Sequence, residues 1–239
     1  MDRRSSEANR DRRALILGIS SVALGGCATV GSNGDAAHAE QEHDEEEGDH
    51  AEVTPGEDLM QEHGVLERVL LVYDDFAARL QGGRALDPAL VVATGQLVRR
   101  FVEDYHEQLE EKLVFPRLER QASVSDLVVV LKDQHVRGRR LTDAILTMAR
   151  SPDSSARDRL PDAMHAFVRM YRPHASREET VLFPAFRHTF GAAAYREMGE
   201  AFEAREHELL GEGGFEHAVE QIGAIEAALG IGDLSKFSP

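Results

Sequence analysis

Cysteine and basic residues are both scarce in this 239-residue chain. Cys27 is its single cysteine, so no intramolecular disulfide can form and a disulfide scaffold is excluded. Lysine and arginine total 27 against 43 aspartate and glutamate residues, which gives a formal net charge of −16. A chain with this balance offers no basic stripe to neutralise phosphates, and we expect no nucleic-acid partner.

The N-terminal region also lacks a hydrophobic run long enough to cross a bilayer. The apolar stretch 14–24 is shorter than the roughly 20 residues that a spanning helix needs. It follows Arg12 and Arg13, and the sequence LGGC at 24–27 resembles a bacterial lipobox. We therefore predict a lipoprotein-type signal over residues 1–27, with Cys27 lipidated and the protein exported and anchored at the cell envelope. A plain secretory signal is the alternative, and the arginine pair is also similar to a twin-arginine export signal.

Large apolar residues are nearly absent from the next segment, 28–55, which is rich in glycine, alanine, histidine and acids. Residues 35–58 hold 11 acids and no lysine or arginine. Such a segment cannot bury enough apolar surface to fold, and we predict a disordered tether. Its histidines, His38, His43 and His50, suit either weak metal scavenging or a plain solvated spacer.

Beyond the tether, apolar residues recur at three- and four-residue steps, as in Leu59, Leu66 and Leu70, which is typical of amphipathic helices. Breaks at glycine, proline and serine predict four main helices and two shorter ones, with approximate ranges 56–81, 87–118, 123–150, 156–189, 192–210 and 215–229. No alternating strand pattern is evident. Short connections predict antiparallel neighbours, so the expected fold is an all-α four-helix bundle over 56–230 with one or two extra C-terminal helices.

One motif is written twice in the same frame: HEQLEEKLVFP at 106–116 and HASREETVLFP at 174–184, 68 positions apart. Residues four apart project from the same face of a helix, so His106 lies with Glu110 and His174 with Glu178. Imidazole and carboxylate together form a ligand set for iron, manganese or zinc, and a carboxylate can bridge two metals.

The first and third predicted helices each add one histidine on an apolar face, His63 and His135. The chain thus repeats helix one in helix three and helix two in helix four, which favours a bundle with internal pseudo-twofold symmetry. A lone histidine among apolar neighbours is usually an ordinary boundary residue. Burying four histidines and two glutamates at matched places is costly unless something pairs them, so the set predicts a dinuclear metal site.

The order H, HxxxE, H, HxxxE, with Phe-Pro after the second and fourth elements, resembles the hemerythrin-like (HHE cation-binding) family. The resemblance covers about residues 59–186 and implies an up-and-down four-helix bundle. It also implies a non-haem di-iron centre with an oxo or hydroxo bridge, although manganese or zinc stays open. By position, the terminal ligands would be His63, His106, His135 and His174, and the bridging carboxylates would be Glu110 and Glu178.

The chain departs from the oxygen-carrying members at two positions. Those members have a second histidine on the third helix where this chain has Arg139, and a bridging aspartate where it has Glu179. A seventh ligand is therefore missing relative to the carriers. Candidates are Glu107, Glu67 and His207, each of which also suits a solvated or merely structural role.

These features leave three functions open. The first, which we favour, is a di-iron protein that binds or senses oxygen, nitric oxide or iron. The second is an oxidase- or peroxidase-type enzyme acting on oxygen, peroxide or nitric oxide, and the third is metal storage. The missing carrier histidine weakens the case for reversible oxygen carriage. The sequence does not identify a redox partner, and it does not show whether the protein is an enzyme.

Overall fold

The computed structural model describes residues 53–238, and within that range the chain is helical with no β-strand. Helix α1 spans Pro55–Gln81. Its start is encoded locally: Thr54 accepts from the backbone of Glu57, whose carboxylate accepts from the backbone of Thr54 in return. The predicted signal at 1–27 and nearly all of the predicted tether lie outside the described residues, and Pro55, the last residue assigned to the tether, is the first of α1.

Helix α2 begins at Pro88 after the N-cap Asp87, whose side chain accepts from the backbone N–H of Ala89, as the Asp-Pro pair predicts. Five consecutive segments make up this helix, and two of them, the second and the fourth, are π-helical: Pro88–Leu97, Val98–His106, Glu107–Leu109, Glu110–Val114 and Phe115–Leu118. The first π-helical segment ends at the first residue of the repeated motif, and the second lies within the motif.

Helix α3 spans Ser125–Arg150. The sequence places the start of this helix at Ser123, a residue type that often caps helices, but the N-cap is Val124, which makes no side-chain hydrogen bond. After a single turn at Ser154–Arg157, helix α4 follows as Leu160–Arg177, a π-helical segment Glu178–Leu182, and Phe183–Arg187. Pro161 lies in its first turn, so the helix begins at residue 160 rather than at the expected residue 156.

The four helices form an antiparallel bundle in which α1 packs against α4, α4 against α3, and α3 against α2. The π-helical part of α2 returns to α1 and closes the bundle. Fully buried aromatic residues fill the space between the helices, including Tyr73, Phe76, Phe101, Tyr105, Phe115, Phe167 and Tyr171. The predicted fold class is confirmed.

Two further helices, α5 at Ala192–Leu210 and α6 at Gly214–Leu229, pack against α1 and α2. A forked ion pair joins Arg68 of α1 to Glu226 of α6, with nitrogen–oxygen distances of 3.0 and 2.6 Å. Both predicted C-terminal helices are therefore part of the same body as the bundle. None of the helices described is both long and apolar enough to cross a membrane.

Candidate metal centre

The six ligands predicted most strongly from the sequence meet in the bundle interior. All are buried, with at most 4% of any of them exposed: His63, His106, Glu110, His135, His174 and Glu178. They form two groups, and within each group the ligand atoms lie within 4.8 Å of one another. One group is Glu110, His135, His174 and Glu178, and the other is His63, His106 and Glu110, so Glu110 belongs to both. We call His63 with His106 the first half-site, His135 with His174 the second half-site, and Glu110 with Glu178 the bridging glutamates.

Distances between these atoms place each bridging glutamate between the two half-sites. Glu110 Oε2 lies 3.7 Å from His106 Nε2 and 3.4 Å from His135 Nε2. Glu178 lies 3.4 Å from His63 Nε2 and 3.1 Å from His174 Nε2. The two Nε2 atoms of the second half-site are only 3.2 Å apart. All four imidazoles therefore direct Nε2 into one small volume shared with two carboxylates.

The Phe-Pro end of each repeated motif explains part of this geometry. A proline inside a helix cannot donate to the carbonyl four residues earlier, and its ring clashes with that carbonyl. In both copies the helix widens just before the proline, and the N–H of Phe115 or Phe183 bonds to the carbonyl of the bridging glutamate five residues earlier. Both π-turns, Glu110–Val114 and Glu178–Leu182, thus begin at a bridging glutamate. Single π-helical turns inside α-helices are frequent at functional sites.

Each of the four histidines has its second ring nitrogen held by another helix. The Nδ1 partners are Glu179 for His63 (3.1 Å), Glu62 for His106 (2.7 Å), Glu111 for His135 (3.0 Å) and Gln134 for His174 (2.9 Å). All four partners offer an acceptor oxygen, so Nδ1 carries the hydrogen and donates. Nε2 then presents a lone pair, the arrangement that metal-ligating histidines adopt.

The inward-facing atoms lack ordinary partners within the described part of the chain. Both oxygens of Glu110, both oxygens of Glu178 and the Nε2 of His63 make no hydrogen bond of normal geometry there. Lone pairs of oxygen and nitrogen therefore face one another in a buried volume, an arrangement that is costly without positive charge between them. The donor set fits a pair of metal ions.

Without metal, protons partly supply that positive charge. Burial and the nearby Glu178 carboxylate hold the pKa of Glu110 well above its usual value. Burial opposes ionisation of Glu178 too, but His174 and His63 hold its pKa well below the usual value. Although burial acts in the opposite direction, the carboxylates of Glu178 and Glu179 raise the pKa of His63 to about 9.

One imidazole of each half-site, His135 and His106, has the opposite tendency. Burial, reinforced by the unfavourable electrostatic interaction with the neighbouring His174 ring, lowers the pKa of His135 to about 4, even though Glu111 opposes the shift. His106 behaves similarly, since burial and the charge of His63 hold its pKa well below the usual value. Both imidazoles are therefore neutral at physiological pH, which is the form that binds metal.

Glu107, a candidate seventh ligand, is buried but faces other partners. Its Oε1 accepts from the hydroxyl of Tyr171 at 2.6 Å, and its Oε2 lies 2.8 Å from a guanidinium nitrogen of Arg139. The same nitrogen is 2.5 Å from Glu111. A third group of ligand-type atoms, Glu107, Glu111 and His135, therefore has the Arg139 cation paired to both of its carboxylates.

The other two candidates for a seventh ligand lie elsewhere. Glu67 is half-buried on α1 and belongs to none of the three groups. His207 is exposed on α5 and likewise belongs to none of them. The structure therefore brings together the six principal ligand candidates and leaves Glu67 and His207 apart from them.

Sequence reasoning missed the outer partners Glu62 and Gln134. Glu62 is 1% exposed and bridges His106 Nδ1 to the hydroxyl of Tyr105, which donates at 2.6 Å. Glu62 directly precedes His63 and Gln134 directly precedes His135, at matching positions of the repeat, so the sequence marks both residues but not the histidines that they contact.

Aromatic side chains line the centre, as the Phe-Pro motifs predict. The ring of Phe183 lies 5.3 Å from that of His63, and the ring of Phe115 stacks 5.4 Å from that of His135. The ring of Tyr171 meets His174 edge-on at 5.4 Å. These walls restrict the access of water and of large molecules to the ligand atoms.

Fold and site together define a helical-bundle protein with a buried histidine–glutamate metal-binding centre. The model of the hemerythrin HHE cation binding domain matches residues 54–186 and, a second time, residues 126–213. Uncharacterized proteins of Mycobacterium bovis and of two Mycobacterium tuberculosis strains are 48% identical over 190 residues, covering 78% of this chain and 74% of each relative. No solved structure matches the chain significantly. The chain belongs to the hemerythrin HHE cation-binding family.

Proposed function

We propose that this protein holds two iron ions at the bundle centre and uses them to bind or sense a small ligand such as oxygen or nitric oxide. The observation that carries the proposal is the convergence of four imidazole Nε2 atoms on two buried carboxylates without hydrogen-bond partners. His63 and His106 would hold one ion, His135 and His174 the other, and Glu110 and Glu178 would bridge them. When bound, such an iron pair supplies a redox-active centre with affinity for small oxygen- and nitrogen-containing molecules.

The donor set is compatible with the proposed iron pair and speaks against a structural zinc site. No thiolate takes part, and the ligands are imidazoles and carboxylates, a mixture that suits iron or manganese as well as zinc. Structural zinc sites are usually closed, four-coordinate sets for one ion, whereas this centre shares two carboxylates between two pairs of histidines. The protein's own contribution is to hold each imidazole by its Nδ1, so that the ligands keep their orientation.

Burial supports a ligand of diatomic size. All six ligands are at most 4% exposed, and Phe115, Phe183 and Tyr171 pack around the imidazoles. An organic substrate could reach these atoms only by displacing that packing. Oxygen, nitric oxide and peroxide are small enough, which leaves an oxidase- or peroxidase-type enzyme as the alternative outcome of the experiments below.

The iron content of the purified protein and its variants tests the site. We expect about two irons per chain, because two-metal sites share bridging carboxylates. His106→Ala and Glu178→Ala should lose most of the iron, while His217→Ala, on an exposed face of α6, should keep it. Glu67→Gln and His207→Ala should also keep it, since both residues lie outside the ligand groups. The proposal would be contradicted if His106→Ala kept its full iron content or if the purified protein held one zinc per chain. An iron count well above two per chain would also contradict it and would indicate an iron-storage protein.

Exposure of the reduced, iron-loaded protein to oxygen or nitric oxide separates binding from turnover. Binding predicts an absorption change that is stoichiometric with protein and reverses when the gas is removed. Continuous consumption of oxygen or peroxide, with a spectrum that bleaches, would instead establish the enzyme.

We further propose that the protein is exported and anchored at the cell envelope through a lipid on Cys27. The sequence LGGC at 24–27 supports this, as does its position after a short apolar run. The test is the mass of the mature chain and its partition into the membrane fraction. Cleavage before Cys27 with a lipid adduct is expected, and Cys27→Ser should abolish both; a soluble chain that keeps its N-terminus would overturn the proposal.

A further inference from the structure

The two half-sites offer the same ligands but different outer partners. The residue before His63 is Glu62, and the matching residue before His135 is Gln134. Glu62 accepts from His106 Nδ1 at 2.7 Å, whereas the Oε1 of Gln134 accepts from His174 Nδ1 at 2.9 Å. The repeat therefore places a carboxylate behind His106 and a neutral amide behind His174.

The partners of the other two histidines, His63 and His135, also leave more negative charge behind the first half-site than behind the second. Glu179 lies behind His63 and Glu111 behind His135, again at matching positions of the repeat. Arg139 contacts the same oxygen of Glu111 that accepts from His135, at 2.5 Å. Within residues 53–238 no arginine pairs with Glu179. The carboxylate behind His135 is therefore neutralised by a cation, while the carboxylate behind His63 is not.

The charge of the residue that accepts from Nδ1–H changes how strongly the imidazole donates electron density from Nε2 to a metal. A carboxylate that accepts from Nδ1–H makes the ring a more basic ligand than a neutral amide does. An arginine on the same carboxylate withdraws part of that effect, because the guanidinium competes for the negative charge. His63 and His106 are thus the stronger donors, and His135 and His174 the weaker ones.

We infer that the two metal positions are inequivalent, and that the position at His63 and His106 binds its ion first and more tightly than the position at His135 and His174. The inference rests on the proposed metal binding. The number of direct ligands does not explain the difference, because each half-site has two imidazoles and both bridging glutamates lie between them. The residues that impose the order are Glu62, Gln134 and Arg139.

Titration of the metal-free full chain with Zn²⁺ against a competing chromophoric chelator measures the order directly. Two binding steps separated by about 10–100-fold are expected, the range by which outer-shell partners change metal affinity. A crystal grown with one equivalent of Zn²⁺ should show its anomalous peak at the first half-site. Two equal steps, or a first ion at His135 and His174, would overturn the inference.

Substitution of Glu62 and Gln134, each by the other residue type, tests whether the charge of the outer partner causes the difference in affinity between the two metal positions. Glu62→Gln should weaken the first step by about 10-fold or more and narrow the gap, while Gln134→Glu should tighten the second step by a similar factor. Asp133→Asn, a neutralisation at an exposed residue next to Gln134, should change neither step. Helical content by circular dichroism confirms that each variant is folded.

The outcomes separate this inference from the proposed function. If Glu62→Gln weakens both steps equally, or Gln134→Glu leaves the second step unchanged, outer charge does not set the order and the inference is wrong. A wild-type chain that binds no metal would overturn the proposed function and the inference together. Two ions bound with equal affinity would overturn the inference alone.

Discussion

Arg139 pairs with a buried glutamate beside the metal centre. Its guanidinium pairs with Glu107, which is only 1% exposed, and with Glu111, the outer partner of His135. Burial raises the pKa of Glu107 to about 8, even though Tyr171 and Arg139 act to lower it. Arg139 therefore compensates a carboxyl group that would otherwise stand in the bundle interior with only a tyrosine hydroxyl as partner.

Replacement of Arg139 should cost stability. Above about pH 8, where Glu107 is ionised, Arg139→Met leaves this carboxylate without its cation, and removal of one partner of a buried pair typically costs about 3–5 kcal/mol. Because the Arg139 side chain is 26% exposed, we expect a smaller loss of about 2–4 kcal/mol in the free energy of unfolding. Denaturant unfolding of the metal-free protein, at a pH above the pKa of Glu107, measures it. Arg137→Met, which breaks an exposed pair with Asp133 on the same helix, should change stability by no more than about 0.5 kcal/mol; equal losses would contradict the assignment.

At the scale of elements, the π-turns connect the Phe-Pro motifs to the position of the bridging glutamates. The turn at Glu178–Leu182 ends just before Phe183 and Pro184, and it sets the register of Glu178 relative to Glu179. Removal of the proline permits an ordinary α-helical turn, which rotates one of these carboxylates away from His63.

Pro184→Ala should therefore separate stability from metal binding. We expect the metal-free variant to be as stable as the wild type, since alanine is the better helix former, and its iron affinity to fall by roughly 10-fold. Pro161→Ala, in the first turn of the same helix, is the control and should leave iron affinity unchanged. Equal iron affinity in both variants would show that the π-turn does not position the ligand.

Close packing of α3 on α4 depends on a glycine. A Cβ at Gly138 would lie 1.8 Å from the hydroxyl oxygen of Tyr171, which donates to Glu107. Gly138→Ala must displace the ring and break that bond, at a cost of about 2–4 kcal/mol from overpacking and a lost buried hydrogen bond. Gly64→Ala meets nothing within 4 Å and should stabilise α1 by up to about 1 kcal/mol. Thermal unfolding compares the stability of the two variants. If Gly138→Ala were as stable as the wild type, Gly138 would not be needed for the close packing of α3 on α4.

For the molecule as a whole, the centre makes stability depend on pH when metal is absent. His63, with a folded pKa of about 9, and Glu107, with about 8, both hold protons that the unfolded chain releases at lower pH. The folded state therefore binds more protons than the unfolded state between about pH 7 and 9, and its stability falls as pH rises through that window. The expected loss is roughly 2–4 kcal/mol.

Iron should reduce this dependence. A metal ion displaces the proton of His63, so only the share of Glu107 remains in the loaded protein. Denaturant melts at pH 7, 8 and 9, with and without iron, provide the comparison. A metal-free protein whose stability is constant or rises over this range would show that these groups are not protonated in the folded state.

The sequence predicted the helices and the six principal ligands because their signals are local and periodic. Helix α5 was placed at 192–210, the bounds that the structure has, and α6 began one residue from its predicted start. The His-x3-Glu spacing placed His106 with Glu110 on one face before any tertiary contact was known. The family resemblance then supplied the expected ligand arrangement, and the match to the HHE model confirms the family.

The rest could not be derived from spacing, because it depends on contacts between helices. Glu62 meets His106 from α1, 44 positions away along the chain, and no local pattern shows that pairing. Glu107 directly follows His106, whereas Ala175 directly follows the matching His174. The sequence shows this difference, but its meaning depends on Arg139, which approaches Glu107 from α3. Side chains that act through a second helix become evident only once the helices are packed.

X-ray absorption at the iron edge of the loaded protein tests the central claim most directly. Two ions that share Glu110 and Glu178 must lie close together, and the account predicts about two irons per chain with an iron–iron vector of roughly 3–4 Å and imidazole nitrogen in the ligand shell. One iron per chain, or iron surrounded only by light atoms with no second metal at that distance, would contradict it.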